Sequence, residues 1–470
     1  MNYGFPCWEA EDFPLCRLRV FPMRNRIGGL MALMVLIVPL KGIAAPPLQQ
    51  NNQSLQDVKA LTAEQLVVAV LTRNPGLKGL TAAAEAANYR IEPAGALDDP
   101  MLTYAGAPKT AGGPRGVQER VELSQSLPWP GKLGLREDAA RARAEGAKQS
   151  LADGRLTLMA AAKSLFAEWA YIHRTLQIKH AHRDLFAELR RVAETRYAAG
   201  RARQQDVLQA DVEAALIDTG IVTHQRRQRE VQAMINGLLN RPPQSRLPPP
   251  APLPTPAEPP SLLALQKTAL EEHPELRRIQ ARIDEARARH GLAEKDYFPD
   301  FRLSAGYNSL WDDADKRWTV GLSINLPFDL SGKRSATRNA TSTDIMRYRW
   351  QLTDREAQLL AQLEQGRAQV QETRDIVAIN RQRLLPLAEE SLNAAVADYR
   401  AGQGSFLAVI DAERQQLRTE DNLARTHADY LRALAALEQT AGRLLTNDSS
   451  HSTQINQAPT DTAGQRLEQE

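Results

Sequence analysis

The chain has 470 residues, 43% of them hydrophobic and 24% charged, enough material for a large core or for two domain-sized halves. Aromatic residues make up only 5%, and Ala, Leu, Arg, Glu and Gln dominate long stretches, a bias toward extended helices and away from a globular α/β enzyme. The formal charge is only +3, with both signs interleaved along the chain, so there is no electrostatic case for nucleic acid as a partner.

At the start, Arg24 and Arg26 precede an apolar run from Ile27 to Leu40, and the small residues Gly42, Ala44 and Ala45 follow. Charge, short apolar core and small-residue exit are the parts of a secretory signal, expected over residues 1–45 with Met23 as an alternative start. The run of about 14 residues is shorter than the ~20 needed to span a bilayer. Cys7 and Cys16 both fall in this segment, so a processed chain is expected to have no disulfide and no thiolate metal site. After Lys41 nothing resembles a transmembrane helix, which leaves a periplasmic chain or one inserted as strands.

The remainder reads as a tandem duplication. Asn74-Pro75-Gly76-Leu77 is answered by His273-Pro274-Glu275-Leu276, Asp99-Pro100 by Phe298-Pro299 and Leu127-Pro128 by Leu326-Pro327, each at an offset of 199. Gly131-Lys132 returns as Gly332-Lys333 at 201, and Tyr197 with Gly200 returns as Tyr399 with Gly402 at 202. A first repeat is therefore assigned to 46–241 and a second to 261–446. The Pro-rich stretch 242–260 joins them as a stiff connector, and the polar residues 447–470 are expected to be a disordered tail.

Within the first repeat, Met101–Ala105 and Val117–Leu127 alternate as a β-hairpin, with Val121, Leu123 and Leu127 on one side. Lys132 to Ala199 contains no proline and predicts a helix of about 100 Å. Gly200 then reverses it into a second long helix. In the second repeat, Phe301, Leu303, Ala305 and Tyr307 alternate with small or polar neighbours. After a charged loop over Asn308–Lys316, carrying Asp312, Asp313 and Asp315, the residues Trp318, Val320, Leu322, Ile324 and Leu326 alternate again. Lys333 to Ala401 predicts the second long helix, kinked at Pro386. Gly402-Gln403-Gly404 turns it into a return helix, in which Tyr430, Leu434 and Leu437 recur at helical spacing.

Two hairpins supply four strands. If the apolar face of Trp318, Val320, Leu322, Ile324 and Leu326 meets lipid, the sheet must close, because no free edge survives in hydrocarbon. Four strands are too few for a membrane barrel, so several copies would have to pool theirs. The alternative at this point is a soluble two-hairpin coiled-coil scaffold whose sheet is half-buried.

The segments Ser124–Lys132 and Ile324–Lys333, the Asn-Pro and His-Pro helix starts, and the pair Arg196–Gly200 and Asp398–Gly402 resemble the TolC family of outer-membrane efflux proteins, over essentially all of residues 60–445. The resemblance implies a mainly α fold with a small membrane β-barrel portion. Long helical hairpins would form an α-barrel continuous with a shared trimeric 12-stranded β-barrel. It further implies a homotrimer in the outer membrane with a large periplasmic portion. That trimer would act as a passive conduit, docked to a periplasmic adaptor (membrane fusion protein) and an inner-membrane RND-type pump. The segment 124–132 looks closest to the heavy-metal branch, which exports copper and silver or cobalt, zinc and cadmium.

By the same resemblance, Ala199, Gly200, Arg201, Ala401, Gly402 and Gly404 would form adaptor-docking tips. Asp206 and Tyr399 match an acidic gate position and its aromatic hydrogen-bond partner, and Asp411 fits an axis-facing acid that three copies would gather into a ring. The position six after Gly402, often acidic in relatives, is Ala408, and Gly404 stands where a basic partner can occur, so a differently bonded gate is expected. No phosphate loop, nucleophile elbow or zinc-protease motif appears. No enzyme activity, cofactor or metal site is expected, since His180 and His182 fall on different helix faces and Glu271-Glu272-His273-Pro274 opens a turn. A periplasmic adaptor would also carry long hairpins, but one flanked by β-domains rather than two duplicated units, and a non-conducting coiled-coil structural protein would lack conductance.

Overall fold

The computed structural model describes residues 59–107, 118–309 and 317–443. The expected signal segment, the acidic loop around Asp312 and the polar tail lie outside the described residues. Residues 59–107 open on short helices whose ends are written in the sequence. Helix α1 (Ala63–Arg73) starts from Thr62, whose hydroxyl accepts from Gln65 N at 3.2 Å while the Gln65 side chain accepts from Thr62 N at 3.1 Å, a reciprocal cap. Asn74 then ends α1 and caps α2 (Pro75–Tyr89), accepting from Leu77 N at 3.1 Å. A one-turn helix, α3 (Ile91–Gly95), follows.

The second opening repeats this grammar in α6 (Leu262–Glu272) and α7 (Pro274–Lys295). His273 takes the place of Asn74, and its Nδ1 accepts from Glu275 N at 3.2 Å. Burial pushes the His273 pKa down, which keeps the ring neutral and Nδ1 free to accept. In both cases proline occupies the first helical position, where a missing N–H costs nothing.

Four strands, β1 (Met101–Ala107), β2 (Gln118–Leu127), β3 (Phe301–Asn308) and β4 (Trp318–Ile324), form one antiparallel sheet in sequence order. Register assigns its faces. Leu102 pairs with Leu123 and Tyr104 with Val121; Leu127 pairs with Phe301 and Gln125 with Leu303. Leu303 pairs with Leu322, Ala305 with Val320 and Tyr307 with Trp318. These residues share one face, whereas Thr103, Glu122, Ser124, Arg302, Ser304, Thr319 and Ser323 share the other. The apolar face is open: Trp318 is 74% exposed and Val320 82%. Leu326 lies past the end of β4 and is also exposed. Among the described residues, β1 and β4 have no outer partner.

From the sheet run the long helices. α4 (Lys132–Ala198) is 67 residues, about 100 Å, and returns through α5 (Gln204–Leu238). α8 (Lys333–Ile379) passes through one π turn (Asn380–Leu384) into α9 (Leu385–Ala401), and α10 (Phe406–Ala441) returns. The expected kink at Pro386 therefore takes the form of a widened turn. In a regular helix the ring would collide with the carbonyl four residues earlier, and the extra residue in the turn before it relieves that clash without ending the helix.

The Pro-rich connector is pinned onto this bundle. Leu61 pairs with Pro250, Trp169 Nε1 donates to the Pro248 carbonyl at 3.1 Å, and Tyr430 Oη donates to the Ala257 carbonyl at 3.1 Å. Beneath it, Phe166, Trp169 and Ile172 of α4 pack with Leu66 and Val70 of α1 and Ile235 of α5. A second apolar cluster near the helix reversals joins Phe186 and Leu189 of α4 to Ile217 of α5, Tyr399 of α9 and Ile410 of α10.

Candidate functional site

The two helix reversals lie at the ends of α4 and α9. Gly200 has φ 67° and Gly402 has φ 85°, left-handed values that cost a side chain about 1–2 kcal/mol. The N–H groups of Gln403 and Gly404 both donate to the Asp398 carbonyl at 3.0 Å, and Ser405 caps α10 by accepting from Ala408 N at 3.2 Å. At Gly404 an added Cβ would sit 3.0 Å from the Asp398 Cβ and 3.2 Å from its backbone, so glycine there is a matter of space. Ala199, Gly200, Arg201, Ala401 and Gly402 are exposed and Gly404 is half-buried. Gly402→Ala is expected to lower thermal stability by about 1 kcal/mol. Gly134→Ala, on a helix surface with open space around it, should instead raise it by a comparable amount; paired melting curves check both.

Just inside the reversals Tyr399 and Asp206 meet. Tyr399 is buried and its Oη donates to Asp206 Oδ2 at 3.3 Å. Burial, and the nearby Asp206 carboxylate, push the phenol up to about 12, so it stays a donor across the physiological range. Asp411 does not join them. It is 65% exposed, with Arg414 Nη1 at 3.9 Å.

Arg196, not singled out from the sequence, organises this point. Its guanidinium donates to the carbonyls of Tyr399 and, at 3.0 Å, of Arg400, and lies 4.8 Å above the Tyr399 ring. A cation from α4 thus caps the C-terminal end of α9, where carbonyls lack helical partners. Arg400 reaches back to Glu188 of α4 at 3.1 Å.

About four turns along α4 from Arg196, His182 is buried between α4 and α10. Its Nδ1 lies 2.6 Å from Glu413 Oε1 and its Nε2 3.5 Å from Glu420 Oε1. Burial alone would lower its pKa, but the two carboxylates outweigh that and raise it to about 9. Glu213 of α5 pairs with Arg414 beside it. The sequence marked His182 only as a poor metal ligand; its carboxylate partners lie 231 or more residues away.

At the other end of α4, Lys132 is buried and ties the close of β2 to the start of β3. Its Nζ lies 2.9 Å from Asp300 and 3.2 Å from Asp296, and Trp129 N donates to Asp300 at 2.8 Å. Trp129 also stacks on Phe298, with ring centroids 5.1 Å apart. At the corresponding start of α8 the capping acid is local instead. Asp329 accepts from Arg334 N at 2.8 Å and Ser335 N at 3.0 Å, and Lys333 is left exposed.

Residues 265–443 match the protein family described as outer membrane efflux protein. The chain is 24% identical over 383 residues to nodulation protein T of Rhizobium leguminosarum bv. trifolii, covering 76% of this chain and 80% of that protein. It is 25% identical over 331 residues to the cobalt-zinc-cadmium resistance protein CzcC of Cupriavidus metallidurans, covering 69% and 77%. In three dimensions it resembles CusC, whose crystal structures follow folding and transmembrane channel formation, with a TM-score of 0.72 at 18% identity over 84% of this chain and 96% of that one.

Proposed function

We propose that three copies of this chain form the exit duct of a tripartite efflux system and act as a passive conduit, a reading supported by the match of residues 265–443 to the outer membrane efflux protein family and by the likeness to CzcC. Each copy lends four strands to a 12-stranded barrel in the outer membrane, and its long helices continue the barrel as a periplasmic tube. The two repeats, 46–241 and 261–446, each contribute one strand pair and one helical hairpin. The single observation that carries this is the two-faced sheet. A largely apolar face lies bare on one side, polar and charged residues such as Thr103, Glu122, Arg302 and Ser304 lie on the other, and among the described residues both edge strands lack partners, which suits a wall between lipid and water. None of the described helices is long and apolar enough to cross a membrane. Fractionation and planar-bilayer recording test this together: the protein should enter the outer-membrane fraction as a trimer and conduct ions. A soluble monomer without conductance would end the proposal.

The helix reversals at Gly200 and Gly402 would receive the helical hairpin of an adaptor, itself joined to an RND-type pump. The Tyr399–Asp206 bond, braced by Arg196, would hold the periplasmic end narrow, with Asp411 from three copies forming an acidic ring at its mouth. Tyr399→Phe removes one hydrogen bond, worth about 1 kcal/mol, and is expected to raise basal conductance several-fold with little change in melting temperature. Unchanged conductance would remove the gating role. Asp411→Ala should weaken cation selectivity and block by multivalent cations.

The likeness to CzcC favours divalent metal ions as cargo. A deletion strain should lose tolerance to cobalt, zinc, cadmium or copper rather than to drugs; the reverse pattern would reassign the cargo.

A further inference from the structure

Among the described residues β2 against β3 is the seam that joins the two hairpins, and β1 and β4 are unpaired edges. In a pooled barrel β4 of one copy meets β1 of the next, and the duplication makes the internal seam a template for that contact. β2 corresponds to β4 and β3 to β1 at a single offset of 199, fixed by Leu127-Pro128 with Leu326-Pro327 and by Phe298-Pro299 with Asp99-Pro100. In the internal seam Leu127 faces Phe301, Gln125 faces Leu303 and Leu123 faces Ala305. Carried across the offset, these become Leu326 facing Leu102, Ile324 facing Tyr104 and Leu322 facing Gly106 of the next copy. Both faces of the sheet then continue unbroken around the seam. A slip of one residue would turn β1 inside out, so the competing registers are those shifted by two.

The ionic tie at the base of the seam follows the same rule. Lys132 stands five residues after Leu127, and its partner Asp300 one residue before Phe301. In the second repeat two more residues separate Leu326 from the lysine, and Lys333 stands seven after it. On the facing strand the position of Asp300 is taken by Met101, and the nearest acid, Asp99, stands three residues before Leu102. Both charges have thus moved two residues away from the strands, in the same direction. Lys333, Asp98 and Asp99 are all exposed, and none makes an ion pair among the described residues, whereas Lys132 is 4% exposed against its two acids.

We infer that neighbouring copies join with Ile324 opposite Tyr104 and Leu326 opposite Leu102, locked at the periplasmic end by an ion pair between Lys333 and Asp99. The inference rests on the proposed barrel and adds its register and its lock. Opposed residues bring Cβ atoms about 5 Å apart, while diagonal neighbours at 7–8 Å exceed the reach of a disulfide.

The test uses the full chain in outer membranes, with Cys7 and Cys16 changed to serine. The pair I324C/Y104C should give a ladder up to a covalent trimer without reductant, at least about fivefold above I324C/L102C and I324C/G106C. Amine cross-linking of the same membranes reports assembly independently. If trimers are present but a shifted pair links equally well, or none links, the register is wrong and the proposed duct stands. If no trimer is found at all, the proposed duct fails and the register with it. For the lock, K333E and D99K should each lower the temperature at which the trimer dissociates in detergent, and the double exchange K333E/D99K should restore it. A double variant no more stable than the worse single one would overturn the ion pair.

Discussion

Leu322→Arg is expected to abolish assembled channel in the outer membrane, while Thr319→Arg, three residues back on the same strand, is expected to leave it in place. The two substitutions add the same charge to β4 but on opposite faces. Leu322 pairs with Leu303 amid the apolar face and is 64% exposed in a single chain. Thr319 pairs with Gly306 on the polar side. An arginine held in hydrocarbon near the bilayer middle costs about 2–4 kcal/mol, and a trimer would carry that cost in each copy. On a water-filled lumen the same arginine keeps its hydration. The readout is trimer yield in washed outer membranes. Equal loss from both variants would show that β4 is simply intolerant of bulk, and survival of both would contradict a lipid-facing sheet.

His182→Ala should destabilise the helical bundle by about 3 kcal/mol, the usual scale for stripping one partner from a buried ion pair. Glu413 is fully buried and one of its carboxylate oxygens already lacks a hydrogen bond. Without the imidazole, that carboxylate would be left among Glu420 of α10, the Glu213–Arg414 pair to α5, and the apolar cluster around Phe186. The pair also fixes a pH dependence. Because the folded pKa of His182, about 9, lies above its ordinary value of 6.5, the stabilisation is fully present below about pH 6.5 and is lost as pH rises through about 9. Melting curves of wild type and His182→Ala should therefore differ strongly at pH 7 and converge by pH 10. A constant gap would mean that the histidine acts by packing alone.

Local chemistry carried the parts of this fold that local chemistry can specify. A 67-residue helix is legible because no proline interrupts it, its reversal because Gly200 tolerates a left-handed backbone, and the hairpins because apolar residues alternate. The duplication could be read from spacing alone. Contacts that join distant segments left no comparable mark. Nothing near Arg196 in sequence announces the α9 carbonyls it caps, and His182 looks idle until α10 lies against α4. The pairing of β2 with β3, which turns two hairpins into one sheet, depends on α4, α5, α6 and α7 returning the chain to the same place. At Pro386 the sequence indicated a disturbance but not its form, since a kink and a π turn both answer the same missing N–H. Leu326 continues the alternation of β4 past its last ladder bond; periodicity alone does not reveal where pairing stops.

The free edges of the sheet have a genetic corollary. If a barrel is drawn from a common pool of three chains, a cell making equal amounts of wild-type and Tyr399→Phe protein would build only about one wholly wild-type channel in eight. A tip held by three equivalent bonds and missing one or two of them would leak in most of the population. Such alleles should therefore be dominant over a functional copy of the gene. Alleles that prevent a chain from entering the barrel, such as Leu322→Arg, should be recessive, because the remaining wild-type chains still find one another.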